Sequence, residues 1–350
     1  MGEKVVIGLS GGVDSSVAAC LLKKQGYDVI GVTLKTWQEN ETENTAVTDA
    51  KRVAEHLQIP FYVLDASADF KREVVDYFTD AYIHGKTPNP CCVCNRKLKW
   101  GALLSYAKTL EADYIATGHY ARIEQLENGR FAIRNSVTAS KDQTYALYNL
   151  TQDQLAHTMM PVGEYEKDAI REIARTEGIP VAEKADSMEI CFIPDHDYAA
   201  FLERQVPATE KIPGPGNFVD AEGKILGKHL GITHYTVGQR KGLNLAIGHP
   251  IFVTAIRPET NEVVIGENED VFTDTLYCDQ MNFMAVEDIE EPKRLLAKIR
   301  YAHKGDYCLL EKENENRYKV TFEKKVRAVT PGQAVVFYEG EHVFGGGTII

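Results

Sequence analysis

Short runs of β-branched and aromatic residues alternate with stretches of helical spacing through the first 190 residues. KVVIGLS (4–10), DVIGVTLK (28–35), FYVLDAS (61–67) and DYIATGHY (113–120) are apolar and of strand length. The stretches around 14–25, 47–58, 69–84 and 95–110 instead carry apolar residues every three or four positions, as amphipathic helices do. Strands alternating with helices predict an α/β fold with a doubly wound parallel sheet. GEYEKDAIREIARTEGIP then predicts a helix stopped by Gly178 and Pro180, and one more helix is predicted near 197–204.

Near residue 205 the texture changes. VPATEKIPGPGNFVDAEGKILGKHLG is dense in Pro and Gly, and hairpin patterns such as IFVTAIRPETNEVVIGE replace helical ones. The last 80 residues read as short antiparallel strands closing into a small barrel. Three units are expected: an α/β unit over 1–205, a small mostly-β central domain over 206–268, and a C-terminal antiparallel β-barrel over 269–350. No internal repeat or low-complexity tract interrupts them.

Composition adds a compartment. The chain has 350 residues, 44% hydrophobic and 26% charged, which is ordinary for a water-soluble protein of two or three domains. The N-terminus lacks the pattern of a secretory signal, Val6 stands where N-myristoylation wants Ser or Thr, and the longest apolar runs are far below a membrane span. A cytoplasmic protein is expected. There thiols stay reduced, so TPNPCCVCNR (87–96), with Cys91, Cys92 and Cys94 in four positions, reads as metal-binding or nucleophilic, and least as a permanent disulfide. Cys20, Cys278 and Cys308 read as core residues.

The loop GLSGGVDSS (8–16) follows the first strand and opens the first helix, where a doubly wound sheet binds its ligand. Gly8, Leu9, Ser10, Gly11, Gly12, Val13, Asp14 and Ser15 make up its phosphate-facing part. Gly11 and Gly12 allow close backbone approach, the first helical amides attract anions, Ser10, Ser15 and Ser16 add hydroxyls, and Asp14 is a candidate magnesium ligand. A tight turn with an N-cap is the bland alternative. The loop is neither a Walker A loop nor GxGxxG.

SGGVDSS resembles the pyrophosphate-binding loop (PP-loop) of the N-type ATP pyrophosphatases, the adenine nucleotide alpha hydrolase-like fold. GKTPNPCCVCNRKLKW, ATGHYAR, SKDQTYALYNL, DSMEICFIPD, HYTVGQRKGL, IRYAH and TPGQAVVFYEGE follow in the order seen in the tRNA-specific 2-thiouridylases, the MnmA/TrmU family. The resemblance runs from about residue 4 to about residue 349. It implies an ATP-dependent sulfurtransferase that adenylates the C2 oxygen of the wobble uridine of tRNAs for Lys, Glu and Gln and then delivers sulfur. ATP and Mg2+ are the implied cofactors, and a cysteine desulfurase or a sulfur-relay protein is the implied donor. Rival readings are another ligating or amidating ATP pyrophosphatase, and a metal-holding RNA-binding module without catalysis.

By resemblance, Cys191 carries a persulfide and Cys94 is the nucleophile that releases its sulfur; from its flanks alone, Ile190 and Phe192, Cys191 would be a buried thiol. Cys91 stands where many relatives have aspartate, so Cys91, Cys94 and Cys191 are also a candidate ligand set for a [4Fe–4S] cluster, and Cys91 inclines the reading towards it. A zinc site is the structural alternative. The resemblance further assigns Leu34 and Gly118 to adenosine, Asn89, Pro90 and Cys91 to the target base, and His119, Lys141, Asp142, Gln143, Arg300, Tyr301 and Gln333 to the tRNA.

A net charge of −12 opposes nonspecific binding of nucleic acid. The charge is uneven, however: residues 81–110 and 294–304 contain no acid at all and several Lys and Arg. Such runs are commonly solvated faces, and together they make a candidate phosphate track.

Overall fold

In a computed structural model, residues 2–39, 45–186, 190–195, 197–206 and 212–350 are described. Residues 187–189, part of the quoted DSMEICFIPD stretch, lie outside them.

The first sheet is parallel. Its strands are β1 Lys4–Gly8, β2 Asp28–Lys35, β3 Phe61–Asp65, β4 Tyr114–Ala116 and, further along the chain, β7 Thr158–Met159, in the order β3-β2-β1-β4-β7. Val5, Val6 and Ile7 of the central strand are fully buried, which is why these strands read as continuous apolar runs. Helices α1 Val13–Lys24 and α2 Thr45–Leu57 follow β1 and β2. One face of the sheet buries Val5, Ile7, Val17 and Val53, and the other buries Val6, Val32, Trp100 and Ile115.

Two features of this first half were not predicted. Residues 113–120 give only the three-residue strand β4, because the chain leaves the sheet at Thr117 to form the site. A hairpin of β5 Arg122–Gln125 and β6 Phe131–Arg134 then leaves the parallel sheet altogether and joins the C-terminal one.

The C-terminal sheet runs β12 Phe272–Phe283, β15 Arg317–Arg327, β14 Asp306–Asn314, β13 Lys293–Lys298, β16 Ala334–Glu339 and β17 His342–Ile349. Because β12 pairs with both β15 and β17, six strands close into an antiparallel barrel, with β6 and β5 continuing outward from β17. Closure removes the free edges such strands would otherwise present.

Between the two lies a four-stranded sheet in the order β10-β11-β8-β9, made of β8 Gly216–Val219, β9 Ile225–His229, β10 Phe252–Arg257 and β11 Glu262–Gly266. Hairpin patterning predicts only antiparallel neighbours here. β8 and β11 are in fact parallel, since the hairpins β8-β9 and β10-β11 dock side by side.

Candidate functional site

The carboxyl ends of β1, β2 and β4 meet at one point. β1 stops at Gly8, and Leu9 is pinned by its amide to the Val32 carbonyl (2.8 Å) and by its carbonyl to the Thr33 hydroxyl (2.8 Å). Gly11 takes φ +69°, and a Cβ there would lie 2.6 Å from the Ala46 carbonyl oxygen, so only glycine fits. Gly12 is the N-cap of α1 and no side chain caps it, so the first-turn amides face the space beyond the strands. Ser10 and Ser15 are joined, the Ser10 amide donating to Ser15 Oγ at 3.2 Å, which sets the curve of the loop.

Gly118, two residues past β4, touches this loop so closely that a Cβ would fall 2.4 Å from the Ser15 amide nitrogen. Leu34, near the end of β2, is half-buried on the other side. The residues predicted to hold nucleotide therefore converge.

Asp14 is not free. The Tyr120 hydroxyl donates to its Oδ1 at 2.7 Å, and Lys167 Nζ bridges Oδ1 and Oδ2 at 2.7 and 3.0 Å. Lys167 also reaches Asp186 (2.9 Å), which in turn takes Lys141 (2.9 Å) and Arg171 (3.0 Å). Burial alone would raise the Asp186 carboxyl, but Lys141 and Lys167 outweigh it and hold the group at about 2. Lys184 donates to the Gly11 carbonyl at 3.0 Å and pairs with Asp49. Four cations thus border the glycine loop.

Of these, only Lys141 was singled out from sequence, and then as a tRNA contact. Lys167 and Arg171 sit four apart in α3 Lys167–Thr176, so they share a face; that spacing was legible, but not what it faces.

The cysteine segment is helical. Asn89 accepts the Cys91 amide at its side chain (3.1 Å), Pro90 takes the first helical position, and Pro90–Cys94 runs on without a break through Asn95–Ala102 and Leu103–Thr109. Cys92 is 3% exposed among Trp100, Tyr145 and Tyr148, and burial pushes its thiol far up. Cys91 is exposed and Cys94 half-buried.

Cys191 is exposed at the surface, between the buried Phe192 and the half-buried Ile190. Although its residue surface is open, the protein packed round it raises its thiol to about 11, with Cys94 and then Cys91 adding to the rise and Lys99 opposing it. Burial likewise raises Cys94, and Lys99 again opposes. Three sulfurs and one lysine therefore share a neighbourhood. Yet among the described residues no three His, Cys, Asp or Glu are grouped so as to hold a metal ion, and all three thiols are free. Among the described residues these thiols are therefore not grouped as a single-ion site of the zinc kind.

Lys99 also meets His119, whose Nε2 lies 3.4 Å from its ammonium while Nδ1 lies 2.9 Å from the Thr117 hydroxyl. Burial against Trp100, then Lys99, pushes the His119 pKa well below its ordinary value, so the ring is neutral and Nε2 accepts.

The remaining predicted tRNA contacts fall into two groups. Tyr301 is exposed, with its ring edge-on to Tyr145, and feels Asp142 and Lys141; the guanidinium of its neighbour Arg300 donates to the Arg327 carbonyl at 2.8 Å. Asp142 and Gln143 have internal work as well, accepting the Ser136 amide (2.9 Å) and the Tyr120 amide (2.8 Å). Gln333, in the other group, donates to the Thr87 carbonyl at 3.0 Å and so props the cysteine segment. The acid-free stretch 81–110 is acid-free only along the chain, because Lys97 and Lys108 meet Glu73 (3.9 Å) and Asp153 (4.0 Å) from other elements.

Comparison with known proteins gives the family. A tRNA-specific 2-thiouridylase MnmA of Lachnoclostridium phytofermentans is 58% identical over 358 aligned residues, covering 99% of each chain. The chain belongs to the tRNA-specific 2-thiouridylase family. Clostridium acetobutylicum has another 2-thiouridylase, 54% identical and covered end to end, as is this chain. The family model described as a tRNA methyl transferase HUP domain matches residues 3–195, that of a PRC-barrel domain matches 199–267, and that of an aminomethyltransferase beta-barrel domain matches 273–349. The parallel sheet with its glycine loop and the closed six-stranded barrel are the first and last of these 2-thiouridylase units. Among the described residues no helix is long and apolar enough to cross a membrane.

Proposed function

We propose that this protein is an ATP-dependent sulfurtransferase that converts the wobble uridine of tRNAs for Lys, Glu and Gln to 2-thiouridine in the cytoplasm. The observation that carries the reading is the pairing of two centres: a glycine loop ringed by Lys141, Lys167, Arg171 and Lys184, and two thiols, Cys94 and Cys191, brought together from distant parts of the chain.

In this reading the loop amides with Lys167, Arg171 and Lys184 hold the ATP phosphates, with Leu34 and Gly118 against the adenosine. The C2 oxygen of the uracil attacks the α-phosphorus and pyrophosphate leaves, turning a poor leaving group into AMP. Lys167 and Arg171 face the charge that builds on the phosphates. Magnesium accompanies ATP, but Asp14 is already shared by Lys167 and Tyr120, so no step is assigned to a protein-bound ion.

Sulfur comes next. Cys191 receives a sulfane sulfur from a cysteine desulfurase or relay protein, and Cys94 attacks that persulfide so that hydrosulfide is released at C2 and AMP departs. Lys99 favours the thiolate of both cysteines. Asn89, Pro90 and Cys91 line the base pocket, and His119, Lys141, Asp142, Gln143, Arg300, Tyr301 and Gln333 contact the tRNA, with chemistry at C2 requiring an extruded base. The units meet near residues 205 and 268. AMP release that depends on added tRNA, with 2-thiouridine as product when Cys191 is loaded, is the expected result; AMP release indifferent to tRNA would overturn the reading.

A further inference from the structure

Cys91 and Cys94 stand three positions apart in one helical turn, and Cys92 between them is turned into the core. Residues at that spacing share a helix face, with Cα atoms about 5 Å apart from the rise and radius of the helix. Disulfides close from Cα separations of about 4.4–6.8 Å, so the pair is within bridging reach. Cys91 is exposed, Cys94 is half-buried, and Cys191 lies within the charge field of both. All three are free thiols, so they are available to exchange with one another.

The persulfide chemistry makes such exchange necessary. When Cys94 attacks the Cys191 persulfide, a bond forms between the Cys94 and Cys191 sulfurs and hydrosulfide leaves; both cysteines are then blocked until two electrons return. We propose that Cys91 is the resolving thiol of this enzyme. Its thiolate attacks the Cys94 sulfur, the Cys94–Cys191 bond breaks, and Cys191 departs as a thiolate ready for the next sulfane sulfur. The product is a Cys91–Cys94 disulfide. An external dithiol of the thioredoxin class then attacks the exposed Cys91, takes the disulfide onto itself and leaves both helix cysteines reduced. Exchange within the chain is favoured over direct reduction because the attacking thiol is held beside its target, whereas a dithiol from solution has to reach a half-buried sulfur.

The inference rests on the persulfide reading, and the experiment separates the two. Full-length protein is loaded with cysteine and a cysteine desulfurase, given ATP and one equivalent of tRNA without reductant, quenched in acid, alkylated and mapped by mass spectrometry. The expected result is a Cys91–Cys94 cross-link with Cys191 alkylated, and in Cys91→Ser loss of that cross-link with build-up of Cys94–Cys191 instead. A persisting Cys94–Cys191 cross-link in the unaltered protein overturns the resolving role alone. Absence of sulfane sulfur on Cys191 before tRNA is added, or iron retained through Cys91 in anaerobically isolated protein, overturns the persulfide reading together with it.

Discussion

Gly118 offers the sharpest test of how the nucleotide loop is held. A methyl group built on its Cα lies 2.4 Å from the Ser15 amide nitrogen and 2.7 Å from both the Asp14 carbonyl carbon and the Ser15 Cα. All three atoms are backbone, so no rotamer change makes room. Ordinary contact begins near 3.4 Å, and Gly118→Ala therefore pushes the loop and the end of β4 apart by about 1 Å.

Two separate effects follow from that shift. Overpacking of this kind costs roughly 1–3 kcal/mol of stability, which thermal unfolding without nucleotide will read. The displaced Ser15 lies in the turn whose amides are proposed to receive phosphate, and a misplacement of about 1 Å at a positioned group costs on the order of 100-fold in rate. tRNA-dependent AMP release, measured against ATP concentration, is the assay. Gly214→Ala is the control, because a methyl group there meets nothing within 4 Å. A Gly118→Ala protein with unchanged rate and unchanged dependence on ATP would refute the argument that this close approach shapes the nucleotide loop.

Asp186→Asn removes the anion shared by Lys141, Lys167 and Arg171. Since the Asp186 carboxyl is held at about 2, below its ordinary range, its contribution is present above a pH of about 3.9 and lost as pH falls towards 2. The substitution should cost about 1 kcal/mol at neutral pH after solvent screening, and flatten the acid limb of stability measured by urea unfolding between pH 2 and 6; an unchanged limb would show the network to be idle. Cys92→Ser places a hydroxyl in the apolar cluster around Trp100 and Tyr145 and should lower the unfolding free energy, measured by denaturant titration, by about 1–3 kcal/mol, while Cys191 still accepts sulfane sulfur; a failure to load Cys191 would give Cys92 a part in the chemistry that its burial denies.

What the chain disclosed in advance was local. The glycine loop is legible because a strand, two glycines and a helix start lie within ten residues, and the structure joins them as one turn. The strand–helix alternation is legible for the same reason. The cation ring was not, since Lys167 and Arg171 are ordinary residues of an amphipathic helix until Asp14 and Asp186 are placed beside them. β5 and β6 escaped because their partner β17 lies at the far end of the chain, and nothing in RIEQLENGRFAIR points there. Cys191 shows the limit of flank reading: Phe192 and Ile193 enter the core while the cysteine beside them faces out.

The entry to the cysteine helix is tied from outside its own sheet. The Thr87 amide donates to the Pro331 carbonyl at 2.9 Å, the Thr87 carbonyl accepts Gln333 at 3.0 Å, and its hydroxyl lies 3.4 Å from that of Thr236. A Cβ on Gly332 would come within 3.1 Å of the Thr87 nitrogen, so the barrel turn fits against this residue with no room to spare. Thr87 stands two residues before the helix cap Asn89, and the backbone that delivers Cys91 and Cys94 is thereby tied to the barrel on one side and to the central domain on the other. A long RNA resting on the barrel face near Arg300 and Tyr301 would act on the same element that aims the thiols. That is a physical reason for three units to serve one reaction: in the proposed function the sheet would hold the nucleotide, while contacts from the other two constrain the segment that carries Cys91 and Cys94.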